Sequence, residues 1–462
     1  MRFGKFFIFI LFISFLWASA THLHAQIQVA PDRFRIEFTD KNHNSFSVCQ
    51  PQYFLSERAL QRRARQGIQV THADLPVSAV YIDSLKRMGF EVMNTSRWFN
   101  SATIRSTPEN IEKLYNIGFI RRTAVYQKED IMEPTFENVE VDLFTLQYDP
   151  APSYYGRAAA QIGMVNGQAL HERGFRGQGM LIAVIDGGFF NVNVLSGFEN
   201  MRASGRLIGY RNFTTDRANP LGSHSHGTNV LSILAAYLPD QLIGSAPEAY
   251  YLLLRSEEVE HEFIVEEDNW IAAVEFADSI GVDIINTSLG YTTFDDPSQN
   301  HHRGNLDGRA IRTSRAATMA AARGMILCIA AGNDGNSYWR TISVPADADS
   351  IVAVGAVDFD GQRAVFSSIG PTADNRIKPD LMAIGERTAF QNSMGSIVFG
   401  SGTSYSSPVL AGLIACLWQA HPQKTNMEII QMVKRSASHY HAPNTQYGFG
   451  IPDFSRLIGG GD

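Results

Sequence analysis

From about residue 151 the chain alternates short, unbroken apolar runs with longer amphipathic stretches. Leu181–Ile185, Tyr251–Leu254, Ile284–Ile285, Met325–Ala331 and Ile351–Val354 are continuous apolar runs, the pattern of parallel strands covered on both faces. Between them 228–238, 266–280 and 309–323 read as helices, the last rich in alanine. Strand–helix–strand repetition predicts a doubly wound, mostly parallel α/β sheet with right-handed crossovers over residues 151–458. In such sheets active groups gather at the carboxyl ends of the strands. The tail Gly459–Gly461 has no strand before it and no helix after it, so it is no phosphate loop.

Ahead of this lies a smaller α+β pattern in residues 26–126. Arg35–Phe38 alternates as a strand, Tyr53–Gln66 reads as a helix, and Val77–Met88 as a second helix closed by Gly89. Strands follow at Phe90–Met93 and Ser101–Ile104. Thr107 then caps a helix with Pro108 at its first position, and Phe119–Tyr126 closes as a strand. The pair Arg62-Arg63 reads as part of an exposed helix face rather than a processing site. Residues 127–150 hold one Lys against seven Asp and Glu, with two prolines, and read as an acidic linker open to proteolysis.

Met1–Ala25 has the layout of a signal peptide. Arg2 and Lys5 precede the apolar run Phe6–Trp17, and small residues follow at Ala18-Ser19-Ala20 and at Ala25. Twelve residues rise about 18 Å in a helix, short of a hydrocarbon core of about 30 Å. The expectation is an exported protein, secreted or periplasmic, without a stable membrane anchor.

Composition narrows the chemistry. With 462 residues, 44% hydrophobic and 18% charged, the chain has ample core and is not disordered over most of its length. The charge balance, 39 − 46 = −7, offers no basic field for nucleic acid. Three cysteines, Cys49, Cys328 and Cys416, make neither a disulfide framework nor a cysteine-built metal site. Cys328 and Cys416 are expected as buried free thiols. The acidic pairs Asp295-Asp296 and Asp347/Asp349 read as solvated loop charges rather than a calcium site.

Four short motifs stand at element ends. Asp186 closes the apolar run Leu181–Ile185. His226-Gly227-Thr228 opens a helix, with His224 as a competing imidazole. Ala330-Ala331-Gly332-Asn333 follows a strand, and Gly402-Thr403-Ser404-Tyr405-Ser406-Ser407-Pro408 leads into the apolar stretch Val409–Trp418. Each alone reads as a turn or a cap. Together they supply a hydroxyl, an imidazole to take its proton and a carboxylate to orient that imidazole. An amide side chain and a helix N-terminal N–H stand ready to stabilise an oxyanion.

The order Asp, His, Ser with HGT, AAGN and GTSYSSP resembles the subtilisin-like serine proteases (subtilases). Gly244-Ser245-Ala246-Pro247 and Asn286-Thr287-Ser288-Leu289-Gly290 agree with it. The resemblance runs from roughly Gly156 to Asp453 and implies Asp186, His226 and Ser404 as triad and Asn333 as oxyanion donor. It further implies that Ser288, Leu289 and Gly290 pair with an extended substrate backbone. Ala331, Gly332 and Ser343 then line the first side-chain pocket. No acidic residue falls among these, so a preference for Lys or Arg is not indicated; the expectation is an apolar P1 residue. Residues 34–126 resemble the propeptide of that family, an intramolecular chaperone and inhibitor, although the stretch 53–75 is larger than the pattern.

The chain departs from the family in three places: Gly187 follows Asp186, Asn229 follows Gly-Thr, and Tyr237–Gln241 lacks the Asn-rich loop of a calcium site. No cofactor is therefore expected, and the family's structural calcium is not indicated. The expected function is an exported serine endopeptidase acting on polypeptides, held by its own N-terminal domain as inhibitor. Two readings compete: a non-catalytic binding protein on the same fold, and a transpeptidase or macrocyclase. Loss of a catalytic residue would mark the first, and none is lost; product mass distinguishes the second.

Overall fold

The structure, a computed structural model, describes residues 26–114, 116–121, 153–214 and 216–458, with two-residue strands at Leu23–His24 and Thr123–Ala124. Most of the leader, all of the stretch 127–150 and the tail Gly459–Gly461 lie outside the described residues. Leu23–His24 pairs antiparallel with Thr123–Ala124, so cleavage after Ala20 would leave this pair in place and cleavage after Ala25 would remove it.

The N-terminal part is a four-stranded antiparallel sheet built from β1 (Gln26–Ala30), β2 (Arg33–Glu37), β3 (Glu91–Ser96) and β4 (Ser101–Arg105), in the order β1-β2-β4-β3. Helix α1 spans Glu57–Arg65 and α2 spans Ala79–Arg87. Tyr81 and Leu85 of α2 close a small core with Phe34, Ile36, Ala102 and Ile104 from the sheet. Gly89 ends α2 at φ +91°, as the pattern required. Thr107 caps the turn of helix at Pro108–Ile111. Two expectations need correction. Helix α1 starts only at Glu57, where the Ser56 hydroxyl accepts from Ala59 N at 3.1 Å; the residues before it form one 3₁₀ turn at Pro51–Tyr53. In the stretch Phe119–Tyr126, Ile120 makes only an isolated bridge to Phe38 and Thr123–Ala124 forms a strand, while 122, 125 and 126 lie outside the described residues.

The larger part holds a seven-stranded parallel sheet: β5 (Leu181–Asp186), β6 (Leu207–Asn212), β7 (Tyr250–Arg255), β8 (Ile284–Thr287), β9 (Ile326–Ala330), β10 (Val352–Val357) and β11 (Leu381–Ile384). Their spatial order is β11-β10-β9-β8-β5-β7-β6, every neighbouring pair parallel. Five helices cover the faces: α3 (His226–Ala235), α4 (Val265–Ile280), α5 (Arg312–Ala321), α6 (Thr403–Ala420) and α7 (Asn426–Ser436). One core forms where α3, α6 and α7 meet Ile182, Val184 and Leu253; the other forms where α4 and α5 meet Ala183, Ile185 and Leu254. Successive residues of one strand thus serve opposite layers, which is why these strands read as unbroken apolar runs.

The N-terminal domain lies on α4 and α5. At one end Arg35 and Thr103 reach Asp268 at 3.0 and 3.1 Å. In the middle the Glu275 carboxylate accepts from Arg97 N at 2.7 Å, Trp98 N at 3.2 Å and the Ser96 hydroxyl at 2.5 Å. At the other end Asp278 takes Arg62, Arg63 and Arg97 together. Arg63 and Arg323 also share Asp74. Helix α1 runs so close that a Cβ on Gly281, at φ +91°, would stand 2.6 Å from Ala59 N. The arginine pair expected on an exposed face is therefore buried: Arg62 and Arg63 are 0% and 1% exposed. The reason is tertiary, since their guanidinium groups find a buried carboxylate on another domain that the local pattern cannot reveal.

Burial alone would raise the Asp278 pKa, but Arg97, Arg62 and Arg63 hold it below the ordinary value. Its stabilisation is present above the unfolded pKa of about 4 and lost as the pH falls through the lowered folded value. Asp278→Ala strands these arginines and is expected to cost the precursor about 3–5 kcal/mol, as removal of one partner of a buried ion pair does. Arg65→Ala, at a half-exposed side chain 3.8 Å from Asp283, should cost under about 1 kcal/mol. Denaturant unfolding of both variants in an inactive precursor measures the contrast. Equal costs would show that the joint is not held by the buried charges.

Candidate active site

The carboxyl ends of β5, β7, β8 and β9 point to one edge of the sheet, and the four motifs converge there. Asp186 is the last residue of β5 and is fully buried. His226 is the first residue of α3, and its Nδ1 lies 2.9 and 3.0 Å from the two Asp186 oxygens. Gly187 N donates to Asp186 Oδ1 at 2.8 Å and fixes the carboxylate. Burial works against the imidazolium of His226, but the charge and hydrogen bond of Asp186 outweigh it and raise the pKa above the ordinary 6.5. His224 is more exposed, and burial lowers its pKa. No hydrogen bond joins it to Asp186, so the geometry separates the two imidazoles.

Ser404 is the second residue of α6, not its cap; Gly402 occupies the cap position. Its own N–H is thus one of the donors that a helix leaves unpaired in its first turn. The Ser404 hydroxyl donates to the Ser288 carbonyl at 3.1 Å and makes no hydrogen bond to His226. In return the Ser288 hydroxyl donates to Ser404 O at 2.9 Å, locking β8 to the start of α6. Asn333 lies past the end of β9, and its Oδ1 accepts from Thr403 N at 2.8 Å and from the Thr403 hydroxyl at 3.0 Å. Its Nδ2 has no hydrogen-bond partner among the described residues. Thr403 was not singled out as a site residue, although it sits inside the GTS motif; it orients the Asn333 amide.

Leu289 and Gly290 follow Ser288 as an open edge: their backbone groups have no partners among the described residues, and pairing resumes only at Tyr291 with Val344. Ala331 and Gly332 form the facing wall. Ser343 sits behind both, its N–H on Ala331 O at 3.0 Å. A Cβ on Gly290 would meet Ser343 Oγ at 2.1 Å, and one on Gly332 would meet it at 2.9 Å. Gly290, Ala331 and Gly332 are therefore neighbours of Ser343. The sequence reading missed Glu257, whose Oε1 accepts from Tyr291 at 2.8 Å and Ser256 at 2.6 Å. Its position just past a parallel strand was the available signal.

The calcium implied by the resemblance does not fit the residues present. Tyr237–Leu238 and Leu242–Ile243 pair as a hairpin, and Arg157 N occupies Gln241 O at 2.9 Å. Asp240 is the single carboxylate of that segment, too few for an oxygen cage. Nor is Asp347 a solvated charge: it is fully buried, accepting from Gly308 N at 2.9 Å and the Ser314 hydroxyl at 2.5 Å. Asp296 caps a 3₁₀ turn. Cys328 and Cys416 are buried and free, and Cys49 is exposed.

Comparison with known proteins agrees with this geometry. A family model described as the subtilase family matches residues 177–450, and one described as the peptidase S8 propeptide domain of Bacteroidota matches 33–139. The chain is 29% identical to subtilisin NAT of Bacillus subtilis subsp. natto over 332 residues, covering 70% of this chain and 76% of that one. It is 28% identical over 326 residues to the serine protease AprX of Bacillus subtilis, covering 64% and 68%. Among solved structures, the epidermin leader peptide processing serine protease of Staphylococcus aureus superposes with a TM-score of 0.58 at 20% identity, over 82% of this chain and 95% of that one. MycP1 of Mycobacterium smegmatis gives 0.51 at 21% identity, over 70% and 90%. These two likenesses concern the fold.

Proposed function

Because the chain belongs to the subtilase family, a serine endopeptidase domain behind an N-terminal propeptide domain, we propose that Ser404 is its nucleophile, His226 its general base and Asp186 the orienting carboxylate. The observation that carries this reading is the two-oxygen contact of Asp186 with His226 Nδ1. It holds the ring with Nδ1 protonated and leaves Nε2 to accept the Ser404 proton. In the reaction the Ser404 hydroxyl would leave the Ser288 carbonyl and turn to that nitrogen. Attack on the scissile carbonyl then develops an oxyanion between Asn333 Nδ2 and Ser404 N–H. His226 returns the proton to the leaving amine, and water repeats the sequence on the acyl-enzyme.

Substrate would add as a strand to Leu289–Gly290, its P1 side chain entering between Gly290 and Gly332 above Ser343. Asn333→Ala is expected to lower kcat by about 10²–10³-fold with little change in KM, because the amide serves charge that appears only in the transition state. A change confined to KM would mean that Asn333 binds the ground state.

We also read the protein as exported, with the leader removed and the propeptide domain cut away within the acidic stretch 127–150. Among the described residues no helix is long and apolar enough to cross a membrane. The test is mass spectrometry of peptide digests together with N-terminal sequencing of the purified enzyme. Hydrolysis products and a start between about Gln127 and Tyr154 are expected. Ligated or cyclic products, or an active enzyme starting near Gln26 with the domain still attached, would overturn the corresponding part.

A further inference from the structure

We propose that Glu257, Glu262 and Glu266 form a binding site for a divalent cation of the calcium type at the rim of the cleft. One carboxylate oxygen from each lies within 4.8 Å of one from each of the other two. Calcium bonds oxygen at about 2.3–2.6 Å, so ligands on opposite sides of one ion stand up to about 5 Å apart. The three side chains come from one short length of chain: Glu257 from just past β7, Glu262 from the connection and Glu266 from the first turn of α4.

The second observation is the state of Glu266. This side chain is 1% exposed. Its Oε1 accepts from Glu258 N at 2.6 Å, while its Oε2 is buried with no hydrogen-bond partner. A buried, unpartnered carboxylate oxygen is costly unless a cation or a proton meets it. No lysine or arginine among the described residues forms an ion pair with any of the three; the nearby Arg33 goes to Glu258 instead, at 2.7 Å. Asp295 adds charge beside them, its carboxylate accepting from Glu262 N at 3.2 Å. Three carboxylates held this close, two of them buried, lose solvation and repel one another. A bound dication removes both penalties. The donor set is oxygen only, which suits a hard cation such as calcium. The site is distinct from the segment Tyr237–Gln241, whose residues do not fit one.

The geometry also provides a reporter, since the Tyr291 hydroxyl lies 2.8 Å from Glu257 Oε1. Terbium, which takes calcium sites and is excited through a nearby tyrosine, should luminesce on addition to the chelator-treated full chain carrying Ser404→Ala. The emission should saturate and be displaced by calcium with half-effect at about 0.1–1 mM. Glu266→Gln should weaken terbium binding by at least about tenfold, since ligand charge sets affinity in such sites. Tyr291→Phe should dim the emission at unchanged affinity. Calcium should raise the melting temperature of the parent and not of Glu266→Gln. Without calcium, Glu266→Gln should melt no lower than the parent, because it has lost a repulsion; a purely structural Glu266 would melt lower in both conditions. Should Glu266→Gln not fold, Glu262→Gln, at the less buried ligand, is read in the same way. No displaceable emission, or emission unchanged by both substitutions, overturns the site.

Discussion

Ser404→Ala is expected to lower kcat by about 10⁶-fold, the magnitude seen when subtilisin loses its nucleophile, while the protein keeps its fold. The side chain contributes one hydrogen bond to the fold, its donation to the Ser288 carbonyl, and such a bond is worth about 1 kcal/mol. The start of α6 stays anchored from the other side, since Ser288 donates to Ser404 O and Thr403 to Asn333. Circular dichroism and melting should therefore match the parent. The variant, made without other proteases, should also keep its propeptide domain attached. Residual activity above roughly a tenth of the parent would place the nucleophile elsewhere.

The two histidines should differ by orders of magnitude. His226→Ala is expected to approach the loss at Ser404, again about 10⁶-fold in kcat, because Asp186 has no other imidazole to orient. His224→Ala should change kcat less than about tenfold, as among the described residues its exposed ring bonds only to the backbone of His226, at 3.4 Å. The pH profile supplies an independent reading. The base must be neutral to accept a proton, and Asp186 raises the pKa of His226. Activity is therefore lost as pH falls through a value above the ordinary 6.5 or so of histidine. Asp186→Asn should move that acid limb down. An unmoved limb, or a larger effect at His224, would reverse the assignment.

Much of this arrangement was legible because it is local. Asp186, His226, Asn333 and Ser404 each stand beside glycines or small residues at the end of an apolar run or the start of a helix, and the structure gathers those ends at one edge of the sheet. What escaped notice had weaker local patterning. Strand β6 is an edge strand whose residues alternate between exposed and half-buried, so it lacks the apolar run that marked the central strands. Strand β11 is only four residues long. Helix α7 did carry a signal, the pair Thr425 and Glu428, which forms a capping box in the structure. Arg62 and Arg63 illustrate the opposite limit. An arginine-rich helix reads as a wet surface until its partner is known, and that partner, Asp278, lies more than two hundred residues away.

The carboxylate of Asp278 also sets a charge requirement on whatever domain covers it. It is fully buried beneath α1 and answers only to guanidinium groups placed as Arg62, Arg63 and Arg97 are. A domain of the same shape carrying neutral residues at 62 and 63 would bury that charge with one arginine instead of three. Mismatched charges of this kind discriminate between partners more sharply than surface area does. A propeptide domain without that arginine cluster would therefore fit this catalytic domain less well, by the cost of the charge left uncompensated in the joint.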